Sequence, residues 1–127
     1  MERTIDLNGH EVKLRTGGGI LRRYRQWIGR DIMSDMNYIS QTIETMGKDD
    51  FLPIPVLEKF EDIAYTMARY ADEANEVRTV PDTADEWLEG FETFDIYLAF
   101  PIIIKMWKID QLTTVEPKKN SEQPPGT

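Results

Sequence analysis

The chain has 127 residues and no cysteine, which is enough for one domain with its own core but leaves nothing for a disulfide framework, a thiolate zinc site or a cysteine nucleophile. A formal net charge of -8 argues against a general nucleic-acid binder, because phosphate binding needs clustered Lys and Arg. The most apolar stretch, residues 94–107, is interrupted by Asp95, Pro101 and Lys105 and falls short of the ~20 residues a membrane span requires; with no apolar run marking a secretory signal, the expectation is a cytoplasmic protein that does not engage a membrane.

Residues 3–15 predict a β-hairpin. Ile5 and Leu7 alternate with Thr4 and Asp6, Val12 and Leu14 alternate with Glu11 and Lys13, and Asn8-Gly9 between them is a strong two-residue turn signal. That loop length pairs Ile5 with Val12 and Leu7 with His10, and puts Ile5, Leu7, Val12 and Leu14 on one face. A lone hairpin is marginal in water, so this face must pack on something. Gly17, Gly18 and Gly19 then form a loose joint leading into a first helix ending near Gly29, with Ile20, Leu21, Tyr24, Trp27 and Ile28 on one side.

Ile32, Met36, Ile39 and Ile43 mark a second helix from about Asp31 or Ser34 to Met46. Residues 47–55 read as a connector whose Phe51, Leu52 and Ile54 tuck down onto the core. The third helix runs from Pro55 to about Glu76 on a seam of Val56, Phe60, Ile63, Met67, Tyr70 and Ala74. Thr83 with Glu86 forms a capping box ahead of Trp87, Leu88 and Phe91, giving a short fourth helix. A last helix is expected over residues 94–109, kinked at Pro101, where a backbone bond is lost and the ring meets the preceding turn. The polar, proline-rich residues 113–127 read as a disordered tail. The fold class is therefore mainly α (α+β): an N-terminal β-hairpin packed on a compact bundle of about five helices, as one domain over residues 1–112.

Few of these residues assemble a reactive set. The lone histidine, His10, reads as a surface turn residue. The three glycines before a helix lack the GxxxxGK[ST] pattern and the βαβ setting of a phosphate loop. Glu58-x-x-Glu61 and Glu73-x-x-Glu76 resemble the paired acids of helical nucleotide pyrophosphatases. On one helix, however, Glu58 and Glu73 stand about 22 Å apart and cannot share a metal within one subunit. Asp82, Asp85, Glu86, Glu89 and Glu92 lack a calcium-loop pattern and read mostly as a solvated face, complementary to Arg22, Arg23 and Arg25. That complementarity follows the overall charge: residues 1–30 carry seven basic and three acidic side chains, a net of +4, and the rest of the chain a net of -12. No catalytic, metal or cofactor-binding residue is assigned.

The helix over residues 94–107 is apolar on nearly every side, more than a small domain covers by itself. Phe94, Tyr97, Phe100, Ile103 and Trp107, with Arg22, Arg23 and Arg25, are therefore the candidate partner-binding residues.

The order of segments resembles the tail assembly chaperones of siphophages that infect Gram-positive bacteria. The stretches that carry the resemblance are Leu14-Arg15-Thr16-Gly17-Gly18, Leu21-Arg22-Arg23-Tyr24-Arg25, Gly29-Arg30-Asp31, Ile63-Ala64-Tyr65-Thr66-Met67-Ala68-Arg69 and Asp85-Glu86-Trp87-Leu88-Glu89-Gly90-Phe91, followed by the run from Ile96-Tyr97 through Pro101 to Trp107. The resemblance implies a non-enzymatic protein of the host bacterial cytoplasm that binds the tape measure protein, assists assembly of major tail protein around it, self-associates and is missing from the finished virion. It also implies short and long forms made by a ribosomal frameshift, for which Lys118-Lys119-Asn120 would suit an A-rich slippery stretch. The alternatives are a structural tail or head–tail connector component and, in another class, a metal-dependent nucleotide pyrophosphatase using Glu58, Glu61, Glu73 and Glu76 assembled between subunits.

Overall fold

The computed structural model describes residues 1–47 and 49–114, with side chains described through residue 108. The fold is mainly α: an N-terminal antiparallel hairpin followed by five α-helices among the described residues. Strands β1 (Glu2–Leu7) and β2 (His10–Arg15) pair in the expected register, Ile5 opposite Val12 and Leu7 opposite His10. The turn requires positive φ at both central residues, and Asn8 and Gly9 adopt +56° and +91°. Asp6 Oδ1 accepts from the Gly9 backbone N–H at 2.6 Å, which pins the turn. Ile5, Leu7, Val12 and Leu14 are all buried, as the alternation required.

Helix α1 spans Ile20–Trp27, α2 Ile32–Thr45, α3 Ile54–Ala74 and α4 Ala84–Leu88. The long helix α3 is the axis of the fold: β2, α1, α2 and α4 all pack on it. A seam of four- and three-residue steps suffices for one neighbour, but α3 has several. Its buried set therefore widens beyond the seam to include Ala64, Tyr65, Thr66, Ala68 and Ala71, while Ala74 is exposed at its end. Small alanines on that added surface let neighbouring elements approach the backbone closely. Beyond α3, Asp72 accepts from the backbone N–H groups of Thr79 and Val80, both at 2.6 Å, so the segment leading to α4 is tied back to the helix. Thr83 caps α4, its Oγ1 accepting from the Glu86 N–H at 3.2 Å, while the reciprocal bond of a full capping box is not made among the described residues.

Four expectations are corrected. Residues 94–109 are not one kinked helix. A 3₁₀ helix, Asp95–Ala99, leads into α5, Phe100–Thr114. Pro101 therefore sits in the first turn of α5, where its missing N–H would have had no intrahelical partner, and it opens the helix without kinking it. Second, α5 continues through residues 113 and 114, where the sequence predicts the start of the tail; the rest of that tail, 115–127, lies outside the described residues. Third, the connector does not tuck down: Phe51 is 93% exposed, Ile54 is exposed, and Leu52 is half-buried. On α2, burial of the apolar stripe ends at Ile39 and Ile43 faces solvent.

The fourth concerns the glycines. Gly17 and Gly19 are not a loose joint but straddle the phenol of Tyr70. A Cβ at either position would lie 3.0 Å from the Tyr70 hydroxyl oxygen, which also accepts from the Gly19 N–H at 3.1 Å. The absence of side chains is what lets this loop close over α3.

Candidate functional site

The 3₁₀ segment and the start of α5 form an arm laid against the N-terminal part of α3. Phe100 packs on Phe60 with ring centroids 4.7 Å apart, and Tyr97 lies 6.1 Å from the same ring. The Tyr97 hydroxyl donates to the Glu61 carboxylate. Partial burial, together with that carboxylate, pushes the phenol up to about 12. Ile96, Ala99, Ile103 and Met106 face inward and are buried. On the outside of the arm Leu98, Pro101 and Lys105 are exposed, and Phe94, at the N-cap of the 3₁₀ helix, is exposed at its start. Phe94 is 75% and Leu98 53% exposed, so the arm leaves large apolar side chains open to solvent.

The candidate partner-binding residues thus separate. Phe94 is free to make contacts outside the chain. Tyr97 and Phe100 are half-buried against α3. Ile103 and Trp107 are buried within the chain's own fold, and Trp107 reaches the groove between α2 and α5. Arg22 and Arg25 point outward from α1, whereas Arg23 donates through Nε to Glu73 Oε1 at 2.8 Å. Among the described residues, none of these three arginines pairs with the Asp82–Glu92 acids. Asp82 is approached by Arg78 at 3.4 Å and Arg69 at 3.8 Å, while Asp85, Glu86, Glu89 and Glu92 face solvent.

Of the four acids singled out along α3, two are engaged in other ways and Glu58 is exposed. Glu61 accepts from Tyr97 and Glu73 from Arg23, and Glu76 lies past the end of the helix with φ +56°. No grouping of three or more His, Asp or Glu side chains suited to a metal ion occurs among the described residues. His10 stacks on Phe91 with centroids 4.4 Å apart, holding the hairpin tip against the turn after α4. No helix among the described residues is long and apolar enough to cross a membrane.

Sequence reading missed the densest polar cluster in the fold. The Tyr24 hydroxyl donates to Asp35 Oδ2 at 2.6 Å; Arg30 donates through Nε to the same oxygen at 2.9 Å, and through Nη2 to Asp62 Oδ2 at 2.6 Å and to the Tyr24 oxygen at 3.2 Å. Tyr24 is fully buried and Asp35 is 5% exposed. Burial drives the Tyr24 phenol far up, and the Asp35 carboxylate adds to the effect. Burial also raises Asp62 against the pull of Arg30, while the bonds to Asp62 and Asp35 outweigh desolvation and hold the Arg30 guanidinium above its ordinary value. The cluster joins α1, α2 and α3 and works as a fastening. One signal was available: Asp35 falls between Ile32 and Ile39 on the apolar stripe of α2, where an acid stays only if a buried partner meets it.

No family model matches the chain, and no curated protein or solved structure matches it either.

Proposed function

We propose that this chain acts without catalysis, by offering apolar surface to other polypeptides, in the manner of the siphophage tail assembly chaperones its sequence resembles. Its partners in this reading are the tape measure protein and the major tail protein, met in the host bacterial cytoplasm, with the chain leaving before the virion is complete. The observation that carries the reading is the exposure of Phe94, Leu98 and Pro101 on an arm whose Tyr97 and Phe100 are packed against α3. Large apolar side chains held open at one edge can cover an apolar seam on a long helical client. A net charge of -8 keeps a protein with such an edge soluble. Outward Arg22 and Arg25, opposite in sign to the exposed acids at 85, 86, 89 and 92, suit contacts between copies, each exposed pair worth about 0–1 kcal/mol.

The test is co-expression with the tape measure protein encoded in the same gene cluster. The soluble yield of that client should rise with the native chain and fall back with Phe94→Ser/Leu98→Ser. These positions are exposed, so the variant should stay folded. Unchanged client solubility, with and without the chain, would end the proposal. Mass spectrometry of purified virions separates the structural alternative, since a connector or tail component is retained and a chaperone is not.

A further inference from the structure

The hairpin tip is latched to the arm. Asn8 donates through Nδ2 to Asp95 Oδ1 at 3.3 Å, and Asp95 is the first residue of the 3₁₀ helix. The residue that makes this latch is also chemically reactive. An asparagine side-chain amide can be attacked by the backbone nitrogen of the next residue, and glycine, having no side chain, hinders that attack least. We propose that Asn8 is a self-modification site: it deamidates when the latch opens, and its acidic product keeps the latch open.

The surroundings supply what the reaction needs. Asn8 and Gly9 are exposed, and nothing lies within 4 Å of where a Gly9 Cβ would stand. The Gly9 N–H faces Asp6 Oδ1 at 2.6 Å, a carboxylate placed to take its proton. The Gly9 nitrogen then bonds to the Asn8 side-chain carbonyl carbon, and the C–N bond of the Asn8 amide breaks. The amide nitrogen leaves as ammonia, carrying the proton that Gly9 gave up. Water opens the resulting cyclic imide at either carbonyl, giving aspartate or isoaspartate. It enters by the cleft of about 450 Å³ between the hairpin tip and residues 90–95. The latch is the brake, because the Asn8 amide must leave Asp95 before it can swing toward Gly9. The product reverses the contact. A carboxylate at position 8 meets Asp95 where a donor met an acceptor, and Glu11 and Glu92 line the same cleft, so like charges push the tip away. Isoaspartate also lengthens the backbone within a turn that accommodates only two residues.

The full chain is incubated at mildly alkaline pH, which favours loss of the Gly9 amide proton, and then digested with trypsin. Cleavage after Arg3 and Lys13 isolates residues 4–13 for mass spectrometry. Asn8 should convert to a mixture of aspartate and isoaspartate. It should do so faster than Asn37, which precedes Tyr38 within α2, and than Asn75, which donates to Ala71 and Glu2 and precedes Glu76. Asp95→Ala should speed the conversion by about threefold, the factor that one exposed hydrogen bond allows. Asp95→Asn retains an acceptor oxygen and should stay near the native rate, which separates the latch from general loosening of the fold. The chain unfolded in urea should convert fastest. Asn8→Asp imitates one product and keeps the turn, since Asp-Gly suits it as Asn-Gly does, and it should shift the backbone NMR resonances of Asp95 and Ile96. Three results overturn the proposal: conversion at Asn8 no faster than at Asn37 and Asn75, a rate unmoved by Asp95→Ala, or an Asn8→Asp variant that leaves Asp95 and Ile96 undisturbed. None of these measurements involves a client, so their failure leaves the proposed function to be judged separately by client solubility.

Discussion

The fastening of α1, α2 and α3 allows a quantitative test. Replacing Asp35 with Ala removes the charged acceptor of the Tyr24 hydroxyl, whose residue is fully buried. A hydrogen bond to a charged group contributes roughly 1.5–3 kcal/mol, and the stranded donor adds its desolvation. Arg30 also loses a carboxylate, but its side chain is 41% exposed and keeps Asp62 at 2.6 Å, so that part should cost less than about 1 kcal/mol. The sum is about 3 kcal/mol, or a fall in melting temperature of roughly 10 °C for a chain of this size. Asp35→Asn keeps an acceptor oxygen and should cost about half as much. Tyr24→Phe removes the donor and leaves Asp35 with Arg30, at about 1 kcal/mol. The double variant Tyr24→Phe/Asp35→Ala should therefore be less destabilised than the two single costs added, by at least about 1 kcal/mol. Urea unfolding followed by circular dichroism gives each value, with the slope unchanged if only the folded state is affected. Additive costs, or an Asp35→Ala cost below about 1 kcal/mol, would refute the argument that these side chains act as one unit.

Other consequences follow from the same structure. Gly17→Ala and Gly19→Ala should each destabilise by about 1–2 kcal/mol, because the new Cβ meets the Tyr70 hydroxyl, while Gly18→Ala, with open space around it, should be near neutral. Tyr70→Phe should recover part of either loss, and thermal melts of the double variants check this. Pro101→Ala should change stability by less than about 1 kcal/mol, since the residue opens α5; a much larger effect in chemical denaturation would restore the kinked helix. The folded state raises the Tyr97 phenol from 10.0 to about 12, so it holds that proton more tightly than the unfolded chain does. Tyr97 should thus stabilise the fold fully below the lower value and lose that contribution as the pH rises through the higher one, and Tyr97→Phe should flatten this part of the alkaline stability profile.

The division between what was legible in the sequence and what was not follows the range of the interactions. The hairpin register depended on Asn8-Gly9 and the alternation beside it, and the α4 cap on Thr83 and Glu86: these signals lie within a few residues of what they determine. Burial within an element needed more. The stripe of α2 was visible from Ile32 to Ile43, yet it ends at Ile39, because periodicity shows which side of a helix is apolar and not how far its neighbour extends along it. The same limit applies to the connector, where Phe51 and Ile54 have the composition of buried residues but no element above them.

Long-range contacts explain the remaining differences, and they bear directly on function. Gly17 and Gly19 had no local partner to reveal that Tyr70, more than fifty residues later, occupies the space their missing side chains leave. Residues 94–107 were apolar on almost every side, and that excess was read as one binding face. Folding divides it three ways. Ile103, Met106 and Trp107 face inward, Tyr97 and Phe100 lean on Phe60 and Glu61, and Phe94, Leu98 and Pro101 remain outside. An apolar count therefore overstates the surface left for a partner, because part of it meets the chain's own elements. The discriminating quantity is the apolar area left after intramolecular packing, and here it includes Phe94 and Leu98 on the arm and Phe51 and Ile54 near the start of α3. Polar substitutions at Phe94 or Leu98 should therefore weaken client binding at little cost in stability, whereas the same change at Ile103 should cost stability first.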